Sequence, residues 1–161
     1  MLSRLFPRQI DNFYQGHVLA IWLFMPVLAL KTAMGFNVSG LNPFISSRFV
    51  LTTADGVPVD TYSTDAAAHL VFTFAAWGWV LFLLALLGWF VVVRYRAMAP
   101  LMILVLSLEQ IGRMVLSRTM LPHHALAHAG IPVSTLINLG FAAILLLALV
   151  FSLLKVRPRP A

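Results

Sequence analysis

The sequence contains no cysteine and few charges. Because none of its 161 residues is cysteine, the chain cannot form disulfides, thiolate-held zinc sites, iron–sulfur clusters or thioether-attached haem. Charged residues make up only 10% of the chain and hydrophobic residues 61%, whereas soluble domains are about 25% charged and about 45–50% apolar. A chain this apolar needs lipid as its solvent. We therefore expect a single integral membrane domain over residues 1–161.

Four apolar stretches are each long enough to cross a membrane. They cover residues 15–36, 66–93, 98–117 and 132–154, and a helix needs about 20 residues to cross a hydrocarbon core of about 30 Å. Within the first stretch, Lys31 directly follows the apolar residues 18–30 and no small-residue cleavage site comes after it, which indicates an uncleaved helix rather than a secretory signal. The sequence predicts an all-α membrane protein, a four-transmembrane-helix antiparallel bundle.

The basic residues predict the orientation of the chain. Most of them fall on one side of the predicted spans, namely Arg4, Arg8, Arg94, Arg96, Lys155, Arg157 and Arg159, whereas Arg48 and Arg118 fall on the other. Because Lys and Arg are enriched in cytoplasmic loops, we expect both termini in the cytoplasm and the protein in the bacterial inner membrane. Despite the net charge of +6, the basic residues are scattered between apolar runs, so no nucleic-acid partner is expected.

The loop over residues 37–65 should lie outside the cytoplasm and has the composition of a hairpin. Residues 48–53 and 57–62 are rich in β-branched and aromatic side chains and flank the pair Asp55-Gly56. An Asp-Gly pair between such runs is a strong hairpin signal. We predict a short extracytoplasmic β-hairpin between the first two spans, with a plain connector as the alternative.

Polar side chains are concentrated in the outer half of the predicted bundle. Glu109 and Arg113 stand four residues apart, the spacing of an ion pair on one helix face. Ionisable residues inside a membrane are candidates for function, but a polar network that only holds helices together would have the same composition. The candidate residues of a lipid or quinone site are Lys31, His69, Thr73, Glu109, Gln110, Arg113 and Asn138.

Histidines in the loop before the fourth span are candidate metal ligands. On a short helix beginning at Pro122, His124 and His128 would share a face, an arrangement that can hold one metal, and His69 lies on the same side of the membrane. Interfacial histidines or a pH-responsive lid are the favoured explanations of the pattern. Haem is not expected, because His17 should lie near the cytoplasmic face and His69 near the outer face, most of a membrane apart.

The third span ends in Gly112-Arg113, followed by Ser117. With the kinked first helix, the outer loop and the tight basic turn after the second span, this string resembles the small four-helix DoxX-like membrane proteins of bacteria. The resemblance implies an inner-membrane protein that is sometimes tied to a membrane redox enzyme, and it transfers no site. The predicted hairpin and the histidine loop are not features of that group.

No catalytic motif accompanies these features. The chain has neither a nucleophile elbow nor a phosphate-cradling glycine loop, so an enzyme is not expected and no cofactor is assigned. We expect a non-enzymatic accessory or assembly subunit of a larger membrane complex, with the lipid bilayer and either a membrane-protein partner or a second copy as its contacts. The alternative is a ligand-handling protein that binds a lipid, quinone or metal in the outer polar layer.

Overall fold

The computed structural model describes residues 5–7, 9–120 and 133–154. Its elements are α1 (Val18–Val38), α2 (Ser47–Thr53), a 3-10 turn (Val59–Thr61), α3 (Thr64–Arg94), a second 3-10 turn (Arg96–Met98), α4 (Ala99–Met120) and α5 (Val133–Leu153). The helices α1, α3, α4 and α5 are long and apolar enough to cross a membrane, as the sequence predicted. Their ends differ from the predicted ones by a few residues.

The chain divides into two compact units, which are described separately. The central unit is residues 28–87, and the terminal unit is residues 1–27 together with 88–161. The long helices α1 and α3 each contribute residues to both units.

In the central unit, α1 and α3 approach closely at two glycines. A Cβ atom added to Gly35 would lie 2.6 Å from the backbone nitrogen of Phe82, and one added to Gly78 would lie 2.5 Å from that of Ser39. Small residues allow such backbone approach between membrane helices. Gly35 of α1 therefore lies opposite Phe82 of α3, and Ser39, which directly follows α1, lies opposite Gly78. Because the order of the two pairs is reversed along α3, the two helices are antiparallel here.

The predicted β-hairpin is wrong. The part of the chain that the structure describes contains no strand, and residues 47–53 form α2 instead. The Ser46 side chain caps this helix by accepting a hydrogen bond from the Phe49 N–H (3.2 Å). The Thr53 hydroxyl donates to the Phe49 carbonyl within the same helix (2.7 Å). These side-chain bonds satisfy the backbone locally, so the β-branched residues do not require a partner strand.

The loop around α2 has its own small hydrophobic core. Leu51 of α2, Val59 of the first 3-10 turn and Ala67 of α3 are buried together. Gly56 has a φ of +67°, a backbone conformation that favours glycine, but Asp55-Gly56 joins α2 to the 3-10 turn and not two strands. Arg48 and Asp60 form an exposed ion pair.

In the terminal unit, α4 and α5 pack against each other as an antiparallel pair. Pro100 at the start of α4 and Ser152 at the end of α5 line the same small cavity, while Gln110 meets Asn138 farther along. The N-terminal segment crosses the ends of both helices, since the His17 N–H donates to the Phe151 carbonyl (3.1 Å) and the Ala97 N–H donates to that of Asp11 (3.2 Å).

Candidate functional site: the polar cluster of α4 and α5

The polar cluster begins with an ion pair along α4. Arg113 Nε lies 2.6 Å from Glu109 Oε1, and the two side chains are 27% and 17% exposed respectively. The helix itself positions them, because residues four apart lie one turn apart on the same face. The ion pair that the sequence spacing predicted is therefore present.

Gln110 connects this ion pair to α5. Its side chain is completely buried, and its Nε2 donates to the side-chain oxygen of Asn138 at 2.9 Å and to the main-chain oxygen of Asn138 at 3.2 Å. Its Oε1 accepts a hydrogen bond from Arg113 Nη2 at 2.8 Å. Both ends of the amide are thus engaged, one along α4 and one across to α5.

We define the polar cluster as Glu109, Gln110, Arg113 and Asn138. The carboxylate balances the guanidinium, and Arg113 also reaches the Asn138 side-chain oxygen at 3.4 Å. Polar groups within a membrane span need partners, and here the cluster supplies them from within the chain. Its chemistry is that of a neutral connection between two helices.

The other predicted site residues belong to the central unit. Lys31 is 1% exposed on α1. His69 and Thr73 are exposed on α3, where the Thr73 hydroxyl donates to the His69 carbonyl (2.9 Å). The cluster described above therefore contains four of the seven predicted residues, and a ligand role for any of the seven remains a prediction.

The metal site remains a prediction as well. His124 and His128 lie outside the described residues. Within the described ranges, no group of three or more metal-ligating side chains comes together.

Sequence analysis did not group the residues of a groove in the terminal unit. This groove has a volume of about 530 Å³ and lies between the start of α1 and the end of α3. Its lining includes Tyr14, His17, Trp22, Trp89 and Arg96. The sequence did contain one signal for this groove. Trp22 is near the start of the first span and Trp89 near the end of the second, two ends that should lie at the same membrane face, and aromatic side chains are enriched at such interfaces.

Two glycines of the terminal unit face open space. Apart from the backbone of its own helix, no described atom lies within 4 Å of the position that a Cβ would take at Gly112 on α4 or at Gly140 on α5. Both residues are exposed. Exposed apolar side chains surround them, including Leu108 and Leu116 on α4 and Leu136 and Leu147 on α5.

No family model, curated protein or solved structure matches this chain. The resemblance to DoxX-like proteins therefore rests on architecture and on one short string, and a function has to be argued from the residues themselves.

Proposed function

We propose that this chain is a non-enzymatic accessory or assembly subunit of a larger complex in the bacterial inner membrane, with both termini in the cytoplasm. In this proposal, α4 and α5 pack against transmembrane helices of the partner through two separate surfaces, one around Gly112 and one around Gly140. The observation that carries the proposal is the open space beside these two glycines.

Glycine inside a helix needs a reason. It costs about 0.8–1 kcal/mol relative to alanine in a helix interior, and the described residues offer no close contact that requires it at either position. Between membrane helices, small residues form the notches into which a neighbouring helix packs. The exposed leucines beside each glycine would form the sides of such a notch. A partner helix therefore explains why glycine is present at these two positions, which the contacts within the chain do not.

The pairing within the polar cluster supports the same proposal. Glu109, Gln110, Arg113 and Asn138 bond to one another, so the cluster can fix the relative register of α4 and α5 without a ligand. The alternative function, binding of a lipid, quinone or metal in the outer polar layer, would require these bonds to be exchanged for bonds to the ligand.

Native mass spectrometry of the tagged chain, purified from its host membranes in mild detergent, tests the proposal. We expect a partner chain in a fixed ratio. The variants Gly112→Leu and Gly140→Leu should release this partner while keeping the thermal stability of the isolated chain, because the added side chains meet open space. Ala29→Leu, at an exposed small residue of α1, is the matched control and should retain the partner.

Two outcomes would overturn the proposal. The first is a wild-type chain that is recovered without a partner but with a stoichiometric metal or quinone, which would favour the alternative function. The second is a partner that both glycine variants retain. Orientation is tested separately by single cysteines in this cysteine-free chain: an impermeant thiol reagent applied to spheroplasts should label Asp55→Cys and spare Ala161→Cys.

A further inference from the structure

The groove of the terminal unit has an apolar floor and a polar rim. Its floor is formed by aliphatic and thioether side chains of two helices, Val18, Ile21 and Met25 of α1 with Val92 and Val93 of α3. Trp22 and Trp89 also line it, and tryptophans at helix ends lie at the headgroup level of a bilayer. A molecule that fills this groove therefore has a long apolar part along the helices.

The rim of the groove offers hydrogen-bond donors. The His17 Nδ1 atom accepts a hydrogen bond from the Leu19 N–H at 3.1 Å, so the neutral ring carries its proton on Nε2 and can donate. The Tyr14 side chain also lines the groove, but its hydroxyl is buried and is not a donor at the rim.

The rim also carries a positive charge. Arg96 is exposed, and its Nε donates to the Val92 carbonyl at 2.8 Å, which anchors the guanidinium beside the apolar floor. The described lining of the groove includes no Asp or Glu. Asp11 lies one residue before the lining, and its carboxylate accepts a hydrogen bond from the Phe13 N–H at 3.0 Å.

We propose that this groove binds one anionic phospholipid, with an acyl chain along the apolar floor and the phosphate at Arg96. Three properties of the groove match this occupant: the apolar length along two membrane helices, the donors at one end, and the exposed guanidinium of Arg96 among them. Basic pockets between membrane helices bind anionic headgroups in this way. A neutral quinone would use the floor and accept a hydrogen bond from the arginine, but it carries no negative charge to neutralise the guanidinium. The inference does not depend on the partner complex proposed above.

Native mass spectrometry with added lipid tests the inference. The purified full chain is titrated with phosphatidylglycerol or with phosphatidylcholine of the same acyl chains. We expect one phosphatidylglycerol to be retained in preference to phosphatidylcholine. Arg96→Gln should lower the affinity for phosphatidylglycerol about fivefold, the size of one interfacial arginine contact with an anionic lipid, and lower that for phosphatidylcholine less, because the choline cation offsets its phosphate charge.

Matched variants separate this site from general attraction to a basic surface. Arg94→Gln removes the exposed arginine at the end of α3, two residues before Arg96 and outside the described groove lining, and it should leave the preference unchanged. Arg96→Lys keeps the charge and should keep most of the preference. Met25→Trp fills the floor and should reduce retention of both lipids.

The inference fails if the wild-type chain retains the two lipids equally, or if Arg94→Gln lowers the preference as much as Arg96→Gln. It also fails if the groove retains a quinone that Arg96→Gln does not affect. Inorganic phosphate at millimolar concentration should not displace the lipid, and displacement would show that a free anion is the occupant.

Discussion

The two units hold their helices together in different ways. In the central unit, Gly35 and Gly78 bring α1 and α3 to backbone contact. In the terminal unit, Gln110 and Asn138 join α4 and α5 by hydrogen bonds. Lipid tails are as apolar as leucine, so burial of apolar surface gives little driving force between membrane helices. Close packing and polar bonds are the two remaining means of association, and the described contacts show the first between α1 and α3 and the second between α4 and α5.

The largest effect should come from filling the close contact. Gly78→Leu would place side-chain atoms where the Ser39 backbone and Val38 now lie, so α1 and α3 must separate. We expect a loss of about 3 kcal/mol in the free energy of unfolding, at the upper end for overpacking, measured by thermal unfolding in detergent. Gly112→Leu is the control at an open position. Equal stability of the two variants would remove the distinction between the units.

Removal of the acid from the polar cluster should have the next largest effect. Glu109→Ala leaves Arg113 without its counter-charge, and we expect a loss of about 2 kcal/mol, less than the ~3–5 kcal/mol of a fully buried pair because both side chains are partly exposed. The double variant Glu109→Ala, Arg113→Met removes both charges and should recover most of the stability. If the double variant is as unstable as the single one, the ion pair does not explain the loss.

Loss of the interhelical amide should cost less. Gln110→Leu keeps the volume of the buried side chain but removes its bonds to Asn138 and Arg113, and interhelical polar contacts in membranes average about 0.6 kcal/mol. We expect a loss of about 1 kcal/mol by equilibrium unfolding in mixed micelles. A loss as large as that of Gly78→Leu would show that the terminal unit depends on its polar bonds as strongly as the central unit depends on close packing.

The smallest effect on stability should come from replacing a glycine that faces open space with alanine. Gly112→Ala meets no described atom and removes the flexibility of glycine from a helix, so the stability of the isolated chain should stay unchanged or rise by up to about 1 kcal/mol. Gly35→Ala is its counterpart at a closed position and should lower the melting temperature. A lower melting temperature for Gly112→Ala would mean that another part of the chain occupies that space.

Some of these features could be predicted from the sequence because they depend on local spacing. Apolar length predicted the four long helices, and the spacing of four residues predicted the Glu109–Arg113 pair. The bond between Gln110 and Asn138 could not be assigned, because the register of two helices depends on how their surfaces pack. The sequence also does not distinguish Gly78, which lies in a close helix contact, from Gly112, which faces open space, because that difference too depends on how the helices pack.

The error in the loop has a different cause. The β-branched residues after Ser46 have high strand propensity, but strand propensity depends on a partner surface. Ser46 instead supplies an N-cap for α2, and Leu51 finds its apolar contacts with Val59 and Ala67. The Asp55-Gly56 pair that suggested a hairpin has a positive φ at Gly56 alone, since a glycine adopts that conformation in any connection.

The length of α3 has a consequence for the solvent around this loop. At about 1.5 Å per residue, its 31 residues extend about 46 Å, whereas a hydrocarbon core of about 30 Å crossed at a typical tilt of about 20° holds only about 21 of them. With the charged Arg94 at one interface, the surplus lies at the other end, where Ala67, Leu70 and Val71 contact the loop. These apolar contacts are therefore formed against water. Urea, which solvates apolar and peptide surface, should loosen this region, as measured by hydrogen exchange, before the spanning parts of the helices respond.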